Sequence, residues 1–301
     1  MAVDIPFRRE FSFEYGRLEP VAPGIRRIVA RNPSPFTFHG TGTYVVGEGE
    51  VAVIDPGPEL DEHVAALLTG LAREQVTHIM VTHTHRDHSP AAKALKAATG
   101  AATYGFGPHA GGHRGEAGIE EGGDWDFTPD VTVHDGDEIA GAGWRFEAVH
   151  TPGHTSNHLC FALPERGILF SGDHVMGWST SVIAPPDGDM SAYMASLEKL
   201  LGRADAVYWP THGPAITEPH PHVRAFIAHR RERESGILDC LAVAPQRIEA
   251  IVEKLYVGLG PGLQRAAGRS VHAHLLDFVA RGIVGCDGPP AIDSVYHRVD
   301  R

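Results

Sequence analysis

Cysteine is scarce in this chain. Cys160, Cys240 and Cys286 stand far apart with no CxxC pair, which excludes a disulfide scaffold and points to reduced thiols. No apolar run approaches the roughly 20 residues that a membrane-spanning helix needs, so no membrane partner is expected. Residues 1–10 hold no long apolar core, and a secretory signal is not expected; with the unpaired thiols, this makes the cytoplasm the expected compartment. Basic charge is also short. The chain has 26 Lys+Arg against 38 Asp+Glu, a formal net of −12, which disfavours unassisted binding to a polyanion. Neither a Gly-x-Ser-x-Gly elbow nor a Gly-Lys-Ser/Thr phosphate loop occurs, so serine-hydrolase and P-loop chemistry lack their usual carriers.

What the chain has in quantity is histidine, 20 residues among 301. Hydrophobic residues are 42% and charged residues 21%, the balance of a folded globular protein of one large domain or two smaller ones. Residues 83–88 read His-Thr-His-Arg-Asp-His, with four potential metal ligands within six positions, directly after the apolar stretch Ile79-Met80-Val81. Three imidazoles and a carboxylate crowded together suit a divalent cation of borderline softness, zinc before others. One site takes about four ligands, so further ligands at later turns imply two ions.

The local pattern supplies those turns. Thr43–Val46 and Val51–Ile54 are strand-like runs around a Gly-Glu-Gly-Glu turn, and Asp55-Pro56-Gly57-Pro58 stops the second. Apolar positions at helical spacing predict a helix over 59–73. A strand over 77–82 leads into the ligand run, and Ser89-Pro90 opens a helix through Ala98. The same strand-then-turn layout recurs at Val149–His154, Ile168–Asp173 and Val207–Gly213. Each candidate ligand thus falls just past a strand end, where α/β architectures place polar chemistry. The Gly-rich stretch 105–123, with His109 and His113, reads as an exposed, mobile loop, with a lid over the site as the alternative. After Gly213, a long helix over 222–241, helices over 246–256 and 263–281, and a short terminal strand form a small helical appendage. The expected division is a catalytic part over 1–221 and a second part over 222–301. Residues 244–301 carry 7 Lys+Arg against 6 Asp+Glu, leaving 19 against 32 for the remainder.

His83 and His85, at i and i+2 on an extended turn, can converge on one ion that His154 completes. Asp87 and His88 face the other side, where His212 can complete a second site. Asp173 can bridge both through its two oxygens, and Asp87 and Asp173 are the candidate catalytic groups. Two ions about 3.5–4 Å apart can hold a hydroxide that exists at neutral pH. Of the remaining groups, Asp55 is a candidate to orient a ligand imidazole, and His158 a candidate to lie behind the site. Tyr44, His150 and His174 read as packing residues, and His272 and His274 as surface or core residues of the last helix. Arg86 reads as a surface group within reach of an anionic substrate. Arg230, Arg231 and Arg233 alternate with Glu232 and Glu234, the pattern of a solvated helix face.

With Thr151-Pro-Gly-His154-Thr155, Ser171-Gly-Asp173 and Thr211-His212-Gly213, the run from His83 to His88 resembles the metallo-β-lactamase superfamily over residues 25–215. The resemblance implies an αββα sandwich. It assigns His83, His85 and His154 to one metal, and Asp87, His88 and His212 to another, with Asp173 shared. The stretch from Asn32 to Val46 and the helical appendage resemble the lactamase-β-2-like (LACTB2-like) branch, which implies a winged-helix-like tail. True β-lactamases of the fold usually carry Cys or Ser where Asp173 stands, so β-lactam hydrolysis is expected only as a weak side activity. The expected protein is therefore a dinuclear zinc hydrolase, with iron or manganese as alternative metals. Its expected target is an ester, thioester, lactone or related acyl bond in a small molecule. The alternatives are an endoribonuclease on single-stranded RNA, as the branch implies, and a metal-binding module without turnover. Oligomeric state is not readable.

Overall fold

The computed structural model describes residues 3–111 and 122–299. Seven strands form the first sheet, in sequential order: β1 (Glu19–Ala22), β2 (Ile25–Val29), β3 (Gly42–Glu48), β4 (Glu50–Ile54), β5 (Gln75–Met80), β6 (Ala102–Gly105) and β7 (Val131–Thr132). β1 to β4 run antiparallel and β4 to β7 parallel. Helices α1 (Asp61–Gly70) and α2 (Ala91–Thr99) make the crossovers to β5 and β6. The second sheet holds β8 (Glu138–Gly141), β9 (Trp144–His150), β10 (Leu159–Leu163), β11 (Ile168–Gly172) and β12 (Val207–Pro210), in reverse spatial order. Helix α3 (Met190–Leu201) connects β11 to its parallel neighbour β12.

Side-chain alternation makes the layers. In the β3–β4 hairpin Tyr44 pairs with Ile54 and Val45 with Val53. Tyr44, Val46, Ala52 and Ile54 enter a core shared with Phe146, Ala148, Leu159, Phe161 and Phe170 of the second sheet. Val45, Val51 and Val53 point the opposite way, toward Leu67 of α1 and Leu95 of α2. Likewise Cys160, Ala162 and Leu169 turn outward onto Tyr193, Leu197 and Leu200 of α3. Strands buried on both faces read as continuous apolar runs, as these do. The result is the αββα sandwich that the sequence leads one to expect.

The remaining elements are α4 (Pro219–Val243), β13 (Gln246–Arg247), α5 (Ile248–Leu255), α6 (Pro261–Ala280), β14 (Val284–Cys286) and β15 (Val295–Arg298). The last three strands form a small antiparallel sheet in the order β13-β15-β14. Only its terminal strand is foreseen from sequence, because a pair such as Gln246-Arg247 carries no pattern by itself. Helix α4 serves two cores. Val223, Phe226 and Ile227 pack with α3, whereas Ile237, Cys240 and Leu241 pack with α5 and α6. None of the described helices is long and apolar enough to cross a membrane.

His274 of α6 is fully buried. Burial lowers its pKa, Glu234 at 3.8 Å opposes that shift, and Arg230 reinforces it. An unfolded histidine takes up its proton near pH 6.5. Below that value the unfolded state therefore binds more protons, and stability falls as pH drops through about 6.5. His63, His222 and His272, also lowered by burial, act in the same direction. The expected result is that His274→Leu makes the loss of stability between pH 7.5 and 5.5 shallower than in wild type, read as denaturant midpoints. Equal slopes would refute it.

Candidate metal centre

The sheet topology brings one set of strand ends to a single edge. β4 and β5 are parallel, as are β11 and β12, while β9 and β11 share a direction through β10. Their C-terminal ends carry Asp55, His83, Asp173, His212 and the turn to His154. β3 runs opposite to β4, so its first residue, Gly42, lies at the same edge. Among the bonds that tie the two sheets there, Tyr44 Oη donates to the Pro210 carbonyl at 2.7 Å, Gly42 N–H to Thr211 O at 2.8 Å, and Leu159 N–H to Thr82 O at 2.7 Å.

All seven residues singled out from sequence meet at this edge, in overlapping groups: His83, His85 and His154; His83, His88 and Asp173; Asp87, His88 and His212. His85 Nδ1 lies 3.0 Å from His83 Nε2 and 3.2 Å from His154 Nε2. His212 Nε2 lies 3.1 Å from Asp87 Oδ2 and 3.3 Å from Asp173 Oδ2. His88 Nε2 stands 3.3 Å from Asp87 Oδ2 and 3.5 Å from Asp173 Oδ2, yet hydrogen-bonds to neither. Asp173 Oδ2 is also 4.0 Å from His154 Nε2. A single Asp173 oxygen thus faces both groups, where the sequence reading divides two oxygens between them. Oδ1 is buried with no hydrogen-bond partner among the described residues. Six of the seven are almost fully buried and His85 keeps slightly more exposure.

The donor set fits divalent cations. Four imidazoles use Nδ1 on a rearward oxygen and turn Nε2 to the centre. His88 Nδ1 donates to Asp55 Oδ2 at 3.0 Å, His154 Nδ1 to the Val182 carbonyl at 2.7 Å, and His212 Nδ1 to the Gly40 carbonyl at 3.2 Å. His83 Nδ1 lies 3.1 Å from Thr82 Oγ1, a hydroxyl whose own proton goes to Asp55 Oδ2 at 2.8 Å. These partners fix the tautomer that leaves each Nε2 lone pair available. Asp55 is the hub behind the site. It accepts from Thr82 N–H at 2.8 Å, Thr82 Oγ1 at 2.8 Å, Thr211 Oγ1 at 2.8 Å and His88 Nδ1. Its φ of 48° is a left-handed conformation that Asp tolerates better than most residues. Thr41 Oγ1 donates to Asp87 Oδ2 at 3.1 Å and receives Asn32 Nδ2 at 3.0 Å.

Charge in the cluster is strongly coupled. Burial acts against the protonated form of His212, but Asp173 and Asp87 outweigh it and raise His212 to about 10. His88 is raised in the same way by Asp87, Asp173 and Asp55. Burial works against the Asp87 and Asp173 carboxylates, and His88 and His212 hold both well below the usual carboxylate range. His83 and His85 are driven down by burial and by neighbouring imidazoles. A divalent cation satisfies these carboxylates and these lone pairs together, which protons on two of the five imidazoles do not.

Neighbouring groups divide clearly. His158 is fully buried; its Nε2 accepts Asp173 N–H at 3.2 Å and its Nδ1 pairs with Thr151 Oγ1 at 2.9 Å, so it supports the Asp173 turn. Gly172, at φ 52°, permits this approach, since a Cβ there would sit 2.5 Å from His158 Nε2. Gly153, at φ 140°, lets the His154 turn lie on α3, where a Cβ would sit 2.3 Å from Tyr193 Cα. His174 packs against Tyr193 and is pushed down to about 3 by burial, then by His154 and Lys199. His150 stacks on Phe106, and Tyr44 and His272 are core residues. His109 pairs with Thr84 Oγ1 at 3.0 Å and packs on Trp125, and Arg86 is exposed. His113 lies outside the described residues. Arg231 is exposed beside Glu198 at 3.1 Å, and Arg233 donates to the Leu255 carbonyl. Arg230 departs from the expected solvated face, being only 3% exposed. The threonines at 41, 82 and 211 and the Val182 carbonyl are missed by the sequence reading. Thr82 and Thr211 do stand directly before ligand histidines.

The metallo-beta-lactamase superfamily profile matches residues 37–212. The chain belongs to the metallo-beta-lactamase superfamily. Within this superfamily it is 33% identical to a beta-lactamase-like protein 2 homolog of Drosophila melanogaster, over 85% of this chain and 88% of that one. It is 29% identical to an atrochrysone carboxyl ACP thioesterase of Claviceps purpurea, over 89% of this chain and 82% of the relative. The fold matches a metallo-beta-lactamase family protein of Thermus thermophilus with a TM-score of 0.75 at 23% identity, over 93% of this chain and 100% of the other. This member of the superfamily is a hydrolase with His/Asp groups able to hold metal ions.

Proposed function

We propose that this protein holds two divalent cations, zinc foremost, and hydrolyses an ester, thioester, lactone or related acyl bond of a small molecule. The observation that carries the reading is the pair of buried ligand groups sharing Asp173 Oδ2. His83, His85 and His154 would hold one ion, and Asp87, His88 and His212 the other, with Asp173 common to both. Bound there, such ions bring the pKa of a coordinated water toward about 7 and polarise a carbonyl oxygen. The protein's own contribution is placement. Asp55, Thr41, Gly40 and Val182 fix the ligand orientations from behind, and the surrounding core excludes bulk water. Asp173 Oδ1, buried and unpartnered among the described residues, would be free to accept a hydrogen bond from a water held between the ions.

An acyl substrate is supported by the thioesterase-named relative and by the wall next to His212. There Phe38 stacks on Trp178 with centroids 4.7 Å apart, and His39, Phe11 and Phe13 continue the aromatic surface. A formal charge of −12 opposes an RNA substrate, since a nuclease neutralises several phosphates with Lys and Arg. The test is a panel of thioesters and lactones run beside labelled single-stranded RNA. Acyl turnover is expected, lost on treatment with a strong chelator and restored by zinc, manganese or iron. RNA cleavage without acyl turnover would overturn the acyl reading, and full activity in metal-stripped protein would overturn the metal reading as well.

A further inference from the structure

We propose that Arg230 is a positioning residue for the metal centre, acting from α4 through the segment 181–182 that holds His154 and Asp173. The inference rests on the two-metal reading above. Arg230 is 3% exposed, and among the described residues it has no carboxylate within ion-pair distance. Its Nη2 donates to the Ser181 carbonyl, its guanidinium lies 5.3 Å from the centroid of the Tyr193 ring, and its Nε is buried without a partner. A buried cation without a counter-ion is costly, and an apolar side chain would fill the same volume without that cost. Its donor is therefore the part of the side chain that calls for an explanation.

The donor meets the back of the site. Ser181 Oγ lies 2.5 Å from the Asp173 carbonyl and 2.9 Å from the His174 carbonyl, bracing the turn that carries Asp173. The next residue, Val182, presents the carbonyl that accepts His154 Nδ1–H at 2.7 Å. Tyr193, beneath the guanidinium, donates its hydroxyl to the His174 carbonyl at 2.9 Å and supports Gly153 with its backbone. One side chain thus fixes the segment behind two metal-site residues on separate loops. Asp87, His88 and His212 are held by other groups, namely Thr41, Asp55 and Gly40. The centre has two supports, and Arg230 serves the one behind His154. Because α4 continues into the C-terminal core, that core is mechanically joined to the site.

The asymmetry gives the test. Zinc is titrated into metal-free protein against a chromophoric chelator, and the metal-free variants are melted in parallel to establish folding. Wild type is expected to bind two ions. Arg230→Met is expected to weaken the ion at His83, His85 and His154 by about 10-fold, the lower end for losing a group behind a ligand, and the ion at Asp87, His88 and His212, which shares this support only through Asp173, by clearly less. Ser181→Ala is expected to weaken the same ion in the same direction, and it decides the matter if the Arg230 variant does not fold. Two ions at wild-type affinity in folded variants would overturn the inference alone. Equal weakening of both ions would assign Arg230 a general structural role and overturn it too. Wild-type protein that binds no ion would overturn the metal reading, and this inference with it.

Discussion

Replacing Asp173 with alanine is expected to end hydrolysis while the protein stays folded. Its Oδ2 lies within 4.0 Å of His88, His154 and His212, which belong to both ligand groups. The variant would lose the shared ligand and leave His88 and His212 with only Asp87 and Asp55 as counter-charges. The expected fall in kcat/KM exceeds about 100-fold, the upper end for losing a group that merely supports a ligand. His88→Ala is expected to act similarly, because His88 faces Asp87 and Asp173 at once. Folding is expected to survive in both variants, because the two sheets pack through an apolar core between them. Circular dichroism and steady-state kinetics check both statements, and wild-type turnover in Asp173→Ala would contradict the proposed role.

The second large effect is expected at Asp55, which is buried behind the candidate ligands and meets His88 at Nδ1, away from the centre. Four donors converge on its two oxygens, one of them His88 Nδ1. Asn keeps the shape and accepts φ 48°, so Asp55→Asn isolates the loss of charge and of one acceptor from any backbone strain. An amide group facing this set of donors leaves at least one of them buried and unpaired, at about 1–3 kcal/mol. It also frees the His88 ring, with a loss in metal affinity of about 10- to 100-fold. Both are expected together, as a lower denaturant midpoint and as weaker binding of the ion at Asp87, His88 and His212. Reduced stability with unchanged metal affinity would show that Asp55 is structural only.

How much of this was legible in the sequence depends on range. His83 to His88, His154, Asp173 and His212 are legible because each follows a strand whose pattern is local, and because the parallel pairs β4/β5 and β11/β12 put those ends at one edge. Asp55 is legible for the same reason, as the residue that stops β4. Arg230 is not. Its alternation with glutamates matches a solvated face, and its burial follows from how α3 and residues 181–182 pack against α4, which no local pattern encodes. The small sheet is illegible for a similar reason, since β13 has two residues and exists only through its pairing with β15. The way Asp173 presents a single oxygen to both groups is a matter of side-chain rotation, which sequence spacing does not set.

The measurement that bears most directly on the central claim is a metal-loaded crystal structure with anomalous scattering, supported by elemental analysis of the same protein. Two divalent ions per chain are expected, one among His83, His85 and His154, the other among Asp87, His88 and His212, with Asp173 between them. A single ion, or ions bound away from this edge of the sandwich, would contradict it.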